Sequence, residues 1–405
     1  MLWSALKARN EEILLFQVLD RKKECYAVFC DEDLYHYPNS LKLTHTWDYS
    51  AHFADQDIEY AKIWCLGKDM TSICPEHLKE EWESLNSLAR SYLISFQEAK
   101  INLDDVCFYD LVPKKFLISY CSTKNKITDW VFEHYKRPRN YLFLSSLIAM
   151  LDEISNRKLN LRIENLDFID SKVRSGMSKI KNAKPYIKYN PWGTVTGRLS
   201  TAKESFPILT LNKELRDVIV PRNDAFVELD FNSAELRTLF GLLGEKQPEE
   251  DIHSWIGKSV FENAYSRDET KKKVFSWLYN PEARNDKLND YLKRDDILKK
   301  YYIDGVVQTP FGRTIEADDS KALNYLIQST SSDLFLTSAI KINNLLKNRS
   351  SFISFCVHDS LVIDYSKEDH CLIQEILECF GDTKFGRFKT NLSIGKSYGA
   401  MRRVE

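Results

Sequence analysis

What is missing from this 405-residue chain narrows its class before any motif is read. No apolar run approaches the roughly 20 residues that a membrane span needs. Glu11 and Glu12 stand where a secretory signal would place a basic stretch before an apolar one, so a cytoplasmic location without a membrane is expected. With 13 glycines and 11 prolines there is too little of either for a collagen-like or low-complexity polymer, and no internal repeat is visible. The nine cysteines, at 25, 30, 65, 74, 107, 121, 356, 371 and 379, include no pair at the two-residue gap of zinc ribbons and redox motifs. They read as small buried hydrophobes in a reducing compartment. An excess of charge is also lacking: 57 Lys and Arg face 59 Asp and Glu, a net charge of -2. A globally basic nucleic-acid-binding surface is thereby excluded, and any phosphate-binding face has to be local.

What is present, 43% hydrophobic and 29% charged residues, is enough for two or three domains with a core that needs no disulfide. Residues 13–19, 25–30 and 34–37 predict strands separated by polar turns. From 75 to 100, Leu78, Trp82, Leu85, Leu88, Tyr92 and Leu93 recur at helical spacing, and further helices are expected at 126–135, 141–156 and near 165–179. Later in the chain, 225–231 predicts a strand and 234–243 a helix closed by Gly244. Ser266 and Glu269 form a capping-box pattern, so a helix should run from 267 to 279 and stop at Asn280-Pro281. A long helix at 320–348 precedes two strands, 353–357 and 361–365, with His358-Asp359-Ser360 at their tip.

Period-two geometry on Phe226-Val227-Glu228-Leu229-Asp230-Phe231 puts Glu228 and Asp230 on the face opposite Val227, Leu229 and Phe231. Alone, Asp230 reads as a solvated carboxylate and Asp359 as a turn residue. Together, on neighbouring strands, they suit a pair of divalent ions of the kind that phosphoryl-transfer enzymes use. On the capped helix, Arg267, Lys271, Phe275 and Tyr279 lie four residues apart, a slowly winding stripe of two cations and two rings. That stripe suits a triphosphate and a base or sugar. Alone, it reads as a solvated basic face backed by aromatic core.

In chain order stand Thr196-Gly197-Arg198-Leu199-Ser200; Leu229-Asp230-Phe231-Asn232-Ser233-Ala234-Glu235-Leu236-Arg237; Arg267-x3-Lys271-x3-Phe275-x3-Tyr279; and Val357-His358-Asp359. Between them lie Asp251-Ile252-His253, Thr309-Pro310-Phe311-Gly312-Arg313 and Asn324-x3-Gln328-Ser329-Thr330. Over about 185–405 this series resembles the core of family A DNA polymerases, the bacterial polymerase I type. The resemblance implies an α+β right-hand fold with palm and fingers at 185–405, a reduced thumb at 126–184, and a small α/β N-terminal domain at 1–125 resembling a degenerate exonuclease. It implies Asp230 and Asp359, with the Phe231 carbonyl, as ligands of two Mg²⁺ ions, for which Mn²⁺ substitutes. Arg267 and Lys271 would bind the incoming triphosphate, with Phe275 and Tyr279 flanking the nascent pair and Glu235 as the steric gate against a ribose 2′-hydroxyl. Arg198, Arg313, Asn324, Gln328 and His358 would touch DNA. The implied partners are primer–template DNA and deoxynucleoside triphosphates, bound by a monomeric subunit.

The chain departs from the family pattern in several places. Ser360 stands where the third motif usually has Glu, Asn280 where a Gly commonly follows the tyrosine, and only 25 residues separate Tyr279 from Gly305. At the N-terminal strand end, Leu19-Asp20-Arg21-Lys22 does not reproduce the Asp-x-Glu of a proofreading exonuclease. The expectation is a compact enzyme, possible in a phage and then acting in host cytoplasm, without its own proofreading and helped by a separate exonuclease or processivity factor. The competing readings are a single-subunit RNA polymerase and a polymerase-fold primer–template binding subunit that has lost catalysis.

Overall fold

The computed structural model describes residues 13–23, 25–36, 41–103, 105–162, 180–280 and 282–404. Tyr37, Pro281 and the helix expected near 165–179 lie outside them. The chain forms two compact units, Met1–Ala149 and Met150–Glu405. Among the described residues no helix is long and apolar enough to cross a membrane.

In the first unit, β1 (Phe16–Leu19), β2 (Ala27–Cys30) and β3 (Asp33–His36) form an antiparallel meander, with every residue of β2 buried. On the other edge of β1, Leu15 bridges His45 in parallel, and the short strand β4 (His45–Thr46) pairs in parallel with β5 (Glu59–Tyr60). Its longer helices are α1 (Glu76–Glu98) and α2 (Lys114–His134), and α3 (Tyr141–Asn156) begins in it. α1 buries Leu78 and Trp82 and half-buries Leu85, Ala89, Tyr92 and Phe96. Leu88 and Leu93, which share its apolar spacing, are 42% and 43% exposed. The helix expected at 126–135 is only the second half of α2. Its polar-looking first half is held by burial of Phe116, Leu117 and Cys121, a case of tertiary packing overriding local composition. The sulfurs of Cys25 and Cys107 are in contact, which corrects the reading of all nine cysteines as independent hydrophobes; the other seven are free thiols.

The second unit is built on a five-stranded antiparallel sheet. Its strands are β6 (Ala225–Phe231), β7 (Phe352–Val357), β8 (Ser360–Tyr365), β9 (Thr390–Gly395) and β10 (Arg402–Val404), in the order β7-β8-β6-β9-β10. β6 is central, so Asp230 faces Ser360 on one side and Asn391 on the other. Phe231 stacks on Phe380 at 4.4 Å and meets Phe388 edge-on at 5.4 Å. These rings hold the apolar face down, while Glu228 and Asp230 stay half-buried on the opposite face.

Helices α4 (Ala234–Leu243), α5 (Ile252–Ser259), α6 (Arg267–Tyr279), α7 (Asp286–Leu292), α8 (Arg294–Tyr301) and α9 (Asp319–Leu345) share one apolar cluster that includes Leu239, Phe240, Ile256, Val274, Trp277, Leu288 and Leu326. α4 ends at Gly244, whose φ of 79° is the left-handed conformation that glycine takes without strain. α6 starts with the full capping box of Ser266 and Glu269. It ends at Tyr279, and Asn280 is extended, at φ -100° and ψ 111°, so no glycine-like freedom is needed at that exit.

Candidate active site

The sheet brings the two aspartates together. Asp230 ends β6, and Asp359 sits in the two-residue turn between β7 and β8, beside Ser360, the register partner of Asp230. Tyr189 fixes this hairpin by accepting from the Cys356 amide, 2.9 Å away. Asn391 donates to Asp230 at 3.2 Å and is itself held by Arg403 at 2.6 Å. Burial, and then the negative charges of Asp359 and Glu228, push the Asp230 carboxyl up to about 6, although the Asn391 bond works against them. Burial also raises Asp359, against the pull of Arg198 and His358. Ser360, in the place of a carboxylate, donates to Glu228 at 2.9 Å. Among the described residues no group of three or more His, Cys, Asp or Glu side chains converges on one point as a metal cage. The local donors are therefore a pair of carboxylates and neighbouring backbone oxygens.

Beside these acids lies a cleft of about 440 Å³, lined by Arg198, Phe231, Glu235, His253, Phe275, Tyr279, Gln328 and Asp359 among others. Glu235, in the first turn of α4, is ion-paired with Arg198. Phe275 and Tyr279 stack at 5.5 Å with 19° between their planes, and both are more than a third exposed. Their ring faces are thus open to a flat partner. Lys271 lies 5.6 Å from the Phe275 ring and makes no ion pair among the described residues. Arg267 is held differently. Its Nε and Nη2 donate to the two oxygens of Asp251 at 3.1 and 2.9 Å, a bidentate fork. Asp251 also caps α5 by accepting from Ser254, and these bonds outweigh its burial and hold its carboxyl well below the usual range. The loop leading to Asp251 hangs on Arg237, which is fully buried and donates to the carbonyls of Asn232, Pro248 and Glu250 at 2.8–2.9 Å.

Not every expected residue lines the cleft. Asp230, Arg267, Lys271, Arg313, Asn324 and His358 are outside its wall. His358 is exposed at the hairpin tip with φ 54°. Arg313 is tied through Nε to fully buried Asp333 at 2.8–2.9 Å and packs beneath Gly197, where a Cβ would approach its guanidinium carbon to 2.5 Å. Its visible work is to support the turn that carries Arg198. One cleft residue had no role in the sequence reading. His253 is 1% exposed, and among the described residues neither of its ring nitrogens has a hydrogen-bond partner. Its only sequence signal is its place two residues after Asp251.

No family model matches the chain. In sequence it is similar to DNA polymerase I of Aquifex aeolicus (strain VF5), 25% identical over 278 residues, covering 57% of this chain and 48% of the relative. It is likewise similar to the DNA polymerase of Bacillus phage SP01, 26% identical over 290 residues, covering 52% of this chain and 31% of the relative. The chain thus spans about half or less of the length of these relatives. In structure it matches the POL domain of Pol1 from M. smegmatis, solved in complex with DNA primer-template and dNTP, with a TM-score of 0.65 over 98% of both chains at 13% identity.

Proposed function

We propose that the chain, which is similar in sequence to DNA polymerases and has the fold of a polymerase domain, is a DNA-templated DNA polymerase that extends a primer 3′-hydroxyl. One observation carries the reading: Asp359, Glu235 and an open stack of two rings line a single cleft, with Asp230 in register with Ser360, the neighbour of Asp359, and Lys271 one turn from the rings. Divalent metal fits this site because Asp230 makes no ion pair among the described residues and its carboxyl is raised by burial and by two neighbouring acids. Asp230 and Asp359, with the Phe231 carbonyl, would hold two Mg²⁺ ions, which Mn²⁺ can replace. Such ions, when bound, supply the charge that favours a nucleophilic oxygen and a departing pyrophosphate.

The protein's own residues account for positioning. Lys271 offers an uncommitted ammonium to a triphosphate, while Arg267, aimed by Asp251, offers a fixed guanidinium edge. Phe275 and Tyr279 give a base pair a flat apolar wall. Glu235, pinned by Arg198, narrows the cleft where a ribose would carry its 2′-hydroxyl. Gln328 and Arg198 reach the primer terminus, with His358, Asn324 and Arg313 acting around it. In this reading residues 185–405 are palm and fingers, 126–184 a reduced thumb, and 1–125 an accessory domain. That domain's meander with parallel strands on its β1 edge supports likeness to an exonuclease without the acids for cutting. The protein works as a monomer in the cytoplasm, aided by a separate exonuclease or processivity factor.

Extension of an end-labelled primer–template in Mg²⁺ tests the reading. The natural sequence should extend, and Asp230→Ala and Asp359→Ala should not. No extension by the natural protein, or equal extension by the variants, refutes it.

A further inference from the structure

β6 carries a further acid on the face of the aspartates. Glu228 precedes Asp230 by two residues, so both side chains leave the sheet on the same side, about 7 Å apart along the strand at the usual rise. β6 is the central strand, paired with β8 and β9, which removes the reading of Glu228 as a carboxylate on a sheet edge. Glu228 is half-buried and makes no ion pair among the described residues. A cation does share this face. Arg403 is in register with Ser393, the β9 partner of Glu228, but its guanidinium donates to Asn391 at 2.6 Å. A carboxylate half-buried without a cation costs free energy unless another positive charge comes near it.

The partner that Glu228 does have joins it to the aspartates. Ser360, 8% exposed, directly follows Asp359, is the register partner of Asp230, and donates diagonally to Glu228 at 2.9 Å. An ionised carboxylate only accepts, so the hydroxyl commits its proton to Glu228 and keeps only lone pairs for its other neighbours. The Ser360–Glu228 pair therefore shows the aspartates an electron-rich oxygen backed by a negative charge, as a carboxylate at position 360 would. No three acids converge on one point among the described residues, so Glu228 acts through Ser360 and through its charge, from behind the ligands.

We propose that Glu228 is a positioning residue of the metal site: with Ser360 as its bridge, its charge strengthens the hold of Asp230 and Asp359 on a divalent cation, and β6 thereby supplies the acid that β8 lacks. The presence of that cation rests on the polymerase reading.

The test is Mn²⁺ binding by the full-length protein, read from the electron paramagnetic resonance signal of the free ion. A primer–template ending in a dideoxynucleotide and the matching deoxynucleotide are present, so no bond forms. Glu228→Gln keeps the volume and an oxygen for Ser360 but loses the charge, and should weaken Mn²⁺ binding about tenfold. With an extendable primer, the Mg²⁺ concentration giving half-maximal extension should rise by about the same factor. Ser360→Ala keeps the charge without its bridge and should weaken binding about threefold. Adding Ser360→Glu to Glu228→Gln returns an acid to the face from β8, and should bring the affinity back to within about threefold of the natural protein. In EDTA, Glu228→Gln should unfold at no lower urea concentration than the natural protein, because one of several like charges is gone from that face.

Unchanged Mn²⁺ affinity in Glu228→Gln, no recovery in the double variant, or a lower urea midpoint in EDTA would each overturn the proposal. Asp230→Ala keeps the two readings apart. If Asp230→Ala abolishes the Mn²⁺ site and Glu228→Gln leaves it intact, the polymerase reading stands and the role of Glu228 falls. If the natural protein extends no primer, yet Glu228→Gln weakens Mn²⁺ binding and the double variant restores it, the role of Glu228 stands and the polymerase reading falls.

Discussion

Replacing His253 by Leu would separate two properties that its imidazole combines, a lining position in the cleft and a cost in acid. Burial, and then the cations Arg267 and Lys271, lower His253 from 6.5 to about 4, against the pull of Asp251. Above pH 6.5 the ring is neutral in both folded and unfolded chains and contributes no pH dependence. As pH falls below 6.5 the unfolded chain takes up a proton that the folded chain refuses, so stability drops until the ring also charges in the folded state near pH 4. A shift of roughly 2.5 units at 1.36 kcal/mol each makes the whole loss about 3 kcal/mol, of which about 2 kcal/mol is present at pH 5. Leu has no proton to refuse, is close in volume, and removes two buried nitrogens without partners. Urea unfolding followed by tryptophan fluorescence reads this region, because Trp277 is in the core cluster of α4–α9 and Trp255 packs against it. Between pH 7.5 and 5 the His253→Leu protein should gain about 2 kcal/mol on the natural one. A difference that stays constant over that interval, or grows in favour of His253, would refute the assignment of a buried neutral imidazole.

Other substitutions probe the cleft. Asp251→Asn keeps the helix cap but removes the charge that aims Arg267, so the KM for deoxynucleotide should rise about tenfold with kcat nearly unchanged; a lower KM in steady-state extension would contradict this. Glu235→Ala opens the cleft wall, and discrimination against ribonucleotides should fall at least about tenfold in paired incorporation assays, an unchanged ratio counting against Glu235 as the gate. Phe275→Tyr should improve dideoxynucleotide incorporation, as the family resemblance implies, and equal chain termination by both proteins would remove that expectation.

Much of this site was legible because its elements announce themselves locally. The strand 225–231 alternates, Gly244 closes α4, and Ser266 with Glu269 opens α6, each a signal carried by a few adjacent residues. What could not be read depends on partners far apart in sequence. Arg313 looks like a DNA contact in its motif, yet Asp333, 20 residues on, draws it beneath Gly197. Arg267 looks like a free phosphate ligand until Asp251, 16 residues earlier, is seen to grip it. The start of α2 was hidden for the same reason, since Phe116, Leu117 and Cys121 find their burial only in the folded unit.

These pairings also explain why a near-zero net charge is compatible with a phosphate-handling site. Arg198, Arg267 and Arg313 each face an acid, Glu235, Asp251 and Asp333 respectively. A guanidinium on a flexible stem samples many rotamers, and a carboxylate that accepts its fork selects one of them. The acids that cancel these arginines in the total are thus the groups that aim them. Asp333, wholly buried, has the further role of anchoring Arg313 where an unpaired charge would be costly. Lys271 is the exception, a cation on the same helix as the stacked rings with no ion pair among the described residues. Asp230 is its counterpart, an acid with no ion pair among the described residues and a carboxyl already raised by burial and by its acidic neighbours. A site that leaves one cation and one pair of acids uncommitted has set aside the charges that a triphosphate and a divalent ion would meet.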